Sequence, residues 1–131
     1  KPAIAAASIF PFEKCLGLEV LTKLVDASIV AKRRYDECSA ELPHSAPDVD
    51  FYEADFTLAD WSDGDVCFAN STCFDEALMA TLATRAALLK KGSIFITLTK
   101  KLPSDHFTVC DSELYQMSWG GATVFIQRKH L

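Results

Sequence analysis

At 131 residues, half of them hydrophobic, the chain is long enough for one compact domain with one core and too short for two. A formal net charge of -5 and the absence of any long basic run argue against an autonomous nucleic-acid binder, whose affinity would rest on lysine and arginine neutralising phosphates. An acidic surface can still accept a basic protein. The five cysteines, Cys15, Cys38, Cys67, Cys73 and Cys110, lack the paired CxxC spacing of a structural zinc site, so no metal is expected. They read as buried or half-buried thiols of a reducing, intracellular compartment.

Lys1 to Phe10 is alanine-rich and helix-forming, reads as a helix that begins before the chain does, and runs into Pro11, which ends it. Its apolar stretch is too short for a membrane span and lacks the charged lead of a signal peptide, so a soluble protein is expected. Cys15 to Val20 is a short apolar run closing on an acid, read as a buried strand although periodicity alone does not separate it from a helix. Leu21 to Glu41 carries apolar residues at Leu21, Leu24, Val25, Ile29 and Val30 ahead of a charged end, an amphipathic helix. Pro43 and Pro47 bracket a polar loop, and Val49 to Phe56 reads as a strand leading to a site or turn.

Asp63-Gly64 is a turn before a second short strand, Asp65 to Asn70. Asp75 to Lys91 has the strongest helical pattern, with early acids, an apolar set at Leu78, Met79, Leu82, Ala86 and Leu89, closing lysines, and Gly92 as C-cap. Ser93 to Thr99 is a buried strand. Phe107 to Cys110 and Leu114 to Trp119 are further extended segments, and Gly120-Gly121 turns the chain into a last strand, Ala122 to Arg128. The order predicts an α/β fold with an antiparallel end.

In an open parallel sheet, ligands sit beyond the carboxyl ends of the strands. Three strands here end on polar residues, Glu19, Asp55 and Asn70. A carboxylate at Glu19 suits the two hydroxyls of a ribose, and Asp55 can accept from an adenine amino group with Phe56 packing on the ring. Taken singly, each acid reads equally well as a helix cap or a solvated strand end. Cysteine–histidine pairs have no local motif behind them, and no serine lies in a Gly-x-Ser-x-Gly elbow.

Gly17-Leu18-Glu19, Ala54-Asp55-Phe56 with Trp61, Phe68 to Phe74, and Met117 to Gly121 together resemble the class I S-adenosylmethionine (SAM)-dependent methyltransferases. Among these, the chain looks most like the disruptor-of-telomeric-silencing family of non-SET histone-lysine methyltransferases. The resemblance implies a Rossmann-like three-layer sandwich, mostly parallel with antiparallel C-terminal strands, in which residues 1–131 form an incomplete domain. The first strand and its Gly-rich turn would end just before Lys1.

It implies cofactor contacts at Lys1, Glu19, Asp55, Phe56 and Asn70. Asn70, Phe74 and Trp119 would form the methyl-transfer end, although Trp119 alone reads as a core residue. Direct in-line transfer to a neutral lysine nitrogen of a histone-like protein is the implied reaction, in a nuclear setting, with no nucleic-acid or membrane partner. Ala54 stands where that family has glycine, Ser71-Thr72-Cys73 where it has Asn-Phe-Ala, and Ile126 where it has tyrosine.

The competing reading is a truncated or degenerate, non-catalytic module acting through protein interaction. A nicotinamide-dependent oxidoreductase would share Glu19 but leave the later motifs unexplained. Without the Gly-rich turn and its amide donors, the chain is expected to bind SAM poorly. The strands at Cys15 to Val20 and Asp65 to Asn70 would each lose a neighbour, and so close on each other or pair in a homodimer.

Overall fold

A computed structural model describes residues 1–131, as two units, Lys1–Ala59 and Asp60–Leu131. The first contains α1 (Pro2–Ile9), β1 (Lys14–Glu19), α2 (Thr22–Cys38) and β2 (Asp48–Glu53), with a 3-10 turn at Ser39–Glu41 after α2. The second contains β3 (Val66–Ala69), α3 (Glu76–Ala86), β4 (Ile94–Leu98), β5 (Phe107–Met117) and β6 (Gly120–Lys129). No helix is long and apolar enough to cross a membrane.

In the first unit β1 and β2 run parallel, in register from Lys14 opposite Asp48 to Glu19 opposite Glu53. The core gathers Ala7 of α1, Cys15 of β1, Tyr35 of α2 and Val49 of β2, flanked by Ile4, Phe12, Leu42 and Phe51. Tyr35 is admitted because its hydroxyl donates to the Pro47 carbonyl at 2.9 Å, so no polar group is buried unpaired. Alternate β1 residues face outward, and Leu16 and Leu18 are exposed.

In the second unit the strand order is β3-β4-β6-β5, with β3 and β4 parallel and the β4–β6 and β6–β5 pairs antiparallel. Phe95 of β4 is buried between the rings of Trp61 and Phe107, edge-on at centroid distances of 6.0 and 6.3 Å. Beside it Gln127, 1% exposed, donates to Thr97 Oγ1 at 3.1 Å and accepts from the Leu102 N–H at 2.8 Å. Thr97 in turn donates to the Lys100 carbonyl. This satisfied polar network pins the turn after β4 to β6.

The α/β class and the antiparallel end agree with the sequence reading, while several local expectations are corrected. The strands form a two-stranded and a four-stranded sheet, with two parallel and two antiparallel pairings. Within its own unit β1 pairs with β2, and β3 pairs with β4. Helix α3 ends at Ala86, because the chain tightens through Leu88 N–H to Arg85 O and Leu89 N–H to Ala86 O, which buries Leu89. Gly92 is therefore no helix cap. With φ of 92° it occupies the turn into β4, and its N–H donates to the Lys129 carbonyl at 2.8 Å.

The two extended segments after Pro103 are one strand, β5, whose register shifts between Val109 and Asp111 at a bulge. Of the cysteines only Cys15 is buried and Cys67 half-buried, while Cys38, Cys73 and Cys110 are exposed. Trp119 is 52% exposed rather than a core residue, because it stands in the two-residue turn joining β5 to β6.

Candidate functional site

Two groups of residues stand at strand carboxyl ends, one in each unit. In the first, Glu19 closes β1 and accepts from the Leu21 N–H at 3.1 Å, just ahead of the N-terminus of α2. An acid there is favoured by the unpaired N–H groups of the first helical turn. Glu53 closes β2 opposite Glu19 and accepts from the Thr22 hydroxyl at 2.6 Å, tying the start of α2 to the strand end. The backbone N–H of Ala54 donates to the Glu19 carbonyl, so the pairing continues one residue past the end of β2.

Asp55 therefore lies at the same end as Glu19, two residues after β2 ends at Glu53 rather than closing the strand itself. It forms an Asx turn, accepting from the Thr57 N–H at 2.8 Å and the Thr57 hydroxyl at 2.7 Å. These two bonds, the hydroxyl's foremost, hold its carboxyl below the usual carboxylate range, so an ionised acceptor is maintained. Phe56 follows, half-buried. Lys1 is exposed at the start of α1, and Pro2 takes the first helical position, where it removes one of the free N–H groups a helix start would otherwise offer.

In the second unit Asn70 follows β3 and is exposed, and the loop behind it is strapped to the end of β4. The fully buried Ser71 hydroxyl donates to the Leu98 carbonyl at 2.7 Å and accepts from the Leu98 N–H at 3.0 Å. Thr72 and Thr99 hydroxyls meet at 3.1 Å. The ammonium of Lys100 donates to the carbonyl of Phe74, a half-buried residue. Thr99 carries a φ of 69°, a left-handed conformation that is an outlier for a β-branched residue and is held here by these straps.

Trp119 shares this end of the sheet but stands well out from it. Leu98 pairs with Val124, and β6 begins four residues earlier at Gly120, so the hairpin overhangs the end of β4 by roughly 14 Å at the rise of an antiparallel strand.

Sequence reasoning missed Glu53, Ser71, Thr99 and Lys100. Ser71 carried a signal, because it is one of the positions where the Phe68 to Phe74 stretch departs from the pattern it resembles. The others looked like ordinary surface residues, since their roles come from partners 26 to 31 residues away.

No protein-family profile matches this chain, and no curated protein matches it. Solved structures do. TrmN from Thermus thermophilus is 19% identical, with a TM-score of 0.68 over 95% of this chain and 39% of its own length. The (4+2)-cyclase SpnF is 14% identical, with a TM-score of 0.69 over 100% of this chain and 71% of its own. Magnesium protoporphyrin IX methyltransferase from Synechocystis PCC 6803, solved with bound SAM, is 13% identical, with a TM-score of 0.59 over 87% of this chain and 58% of its own. The fold is thus the Rossmann-like fold of SAM-dependent methyltransferases. The chain spans well under two thirds of the length of two of these three neighbours.

Proposed function

We propose that this chain is part of a SAM-dependent methyltransferase domain whose first unit holds the adenosine part of the cofactor. One observation carries the reading: Glu19 and Asp55 come to the same carboxyl end of a parallel strand pair, in the fold of such enzymes. Glu19 is oriented by the Leu21 N–H, and Asp55 is kept ionised by Thr57, so both suit a ligand bearing hydroxyl and amino donors. Phe56 would pack against the base. The fit is weaker at Lys1, since Pro2 thins the amide donors at the start of α1 that a carboxylate would use.

When bound, SAM supplies a methyl group already activated by its positive sulfur. What remains for the chain is to orient the acceptor and exclude water, with Asn70, Phe74 and Trp119 at the transfer end. The acceptor in this reading is a lysine nitrogen of a basic, histone-like protein in the nucleus. It is supported by the sequence likeness of Phe68 to Phe74 and Met117 to Gly121, and by the net charge of -5. The second reading, a non-catalytic module, is favoured by Pro2 at the head of α1; in it β1 and β3, each an edge strand of its own sheet, would pair in a homodimer.

Titration of the isotopically labelled chain with S-adenosylhomocysteine, followed by NMR, separates the two. Methyl transfer requires weak but saturable shifts at Gly17 to Leu21 and Ala54 to Thr57, lost in Glu19→Gln and Asp55→Asn. No shifts at millimolar ligand would leave only the non-catalytic module.

A further inference from the structure

Strand β5 forms one edge of the second unit's sheet, paired on one side by β6 and open along the other. It is 11 residues long, and every residue from Thr108 to Gln116 is exposed. An edge of that length leaves alternate N–H and C=O groups unpaired, a template for a further strand. Beyond the bulge, Asp111, Glu113, Tyr115 and Met117 alternate onto one face and, with Val124 and Ile126 of β6, line a trough of about 350 Å³. Its lining combines the apolar side chains of Met117, Val124 and Ile126 with the carboxylates of Asp111 and Glu113, and contains no cation.

Neither Asp111 nor Glu113 takes part in the ion pairs Lys32–Asp36 and Lys90–Asp65, and no lysine, arginine or histidine lines the trough. Glu113 accepts from the Tyr115 hydroxyl at 3.1 Å, which leaves the Tyr115 ring beside a carboxylate. That bond, Glu113's charge and the more distant Asp111 hold the Tyr115 phenol protonated above its ordinary range, a sign of the negative field there. A second copy of β5 would bring like charges together, whereas an incoming strand with lysine or arginine at alternate positions would set cations over Asp111, Glu113 and the Tyr115 face.

We infer that the outer edge of β5, with the trough of Asp111, Glu113, Tyr115, Met117, Val124 and Ile126, docks an extended basic peptide as an added strand. The inference deepens the methyltransferase reading and rests on it for its purpose. The β5–β6 hairpin overhangs the same end of the sheet as Asn70, so a peptide seated on it would deliver a basic side chain to that end.

The probe is a ten-residue peptide alternating lysine and threonine, with a glutamate–threonine peptide as control, titrated into the labelled chain at low salt. Docking predicts shifts confined to residues 109–117 and 122–127, absent with the acidic peptide. It also predicts roughly tenfold weaker binding by Asp111→Asn/Glu113→Gln, a loss typical of removing two complementary charges. Asp26→Asn/Glu37→Gln, which removes the same charge from α2, should bind as the parent does. Equal weakening in both double variants, shifts scattered over the chain, or no binding would each overturn the proposal. The S-adenosylhomocysteine titration fails or succeeds separately: peptide docking without cofactor shifts removes the methyltransferase reading and keeps the surface.

Discussion

Gly17 of β1 and Phe51 of β2 stand opposite each other in the parallel ladder, and the Phe51 ring occupies the space a side chain at Gly17 would need. A Cβ there would lie 2.5 Å from Cδ1 and 2.8 Å from Cε1 of that ring. Gly17→Ala should therefore cost about 1 to 3 kcal/mol, the usual range for overpacking. In a Phe51→Val background, which lacks both clashing atoms, the same substitution should cost far less. A double-mutant cycle by urea unfolding measures this, and equal costs in the two backgrounds would refute the close approach.

Ser71 substitutes for a strand partner at the end of β4. Removing its hydroxyl in Ser71→Ala strands the buried Leu98 N–H, while the Leu98 carbonyl keeps the Lys100 N–H at 2.8 Å. The expected loss is about 1 to 3 kcal/mol for the one unsatisfied donor. Hydrogen exchange at Leu98 should accelerate with it. Unchanged exchange would mean that the serine is not what holds the loop.

Asp55 titrates below the ordinary carboxylate value because Thr57 bonds to its charged form, side chain first and backbone second. A folded pKa below the unfolded one stabilises the fold fully above the unfolded value of about 3.9 and is lost as pH falls through the folded value. Thr57→Val should raise the Asp55 pKa toward the ordinary value and shrink this acid-sensitive contribution. NMR titration of the Asp55 side chain in both proteins measures it, and identical values would discard the Asx-turn account.

Burial, followed by the carboxylates of Asp63 and Asp65, pushes the Cys67 thiol up to about 11. The thiolate is the reactive form, so Cys67 should resist alkylation of the native chain at pH 8, as should the buried Cys15. Cys38, Cys73 and Cys110 should label. Mass spectrometry of maleimide-treated protein reads the pattern directly, and labelling of Cys67 as fast as Cys73 would contradict the packing around β3.

Much of this molecule was legible in local sequence. Hydrophobic periodicity located both long helices, Asp75 announced the start of α3 and indeed accepts from the Leu78 N–H at 2.8 Å, and strand-end polarity singled out Glu19, Asp55 and Asn70. These signals are local because propensity, capping and burial pattern depend on residues within a turn or two. Only tertiary structure decided that β5 is an open edge, that Trp119 stands exposed on an overhanging hairpin, that Phe51 requires glycine at position 17, and that Ser71 completes the end of β4. Each of these depends on a partner far along the chain, and a residue's own neighbourhood in sequence carries no record of which strand will come to lie beside it.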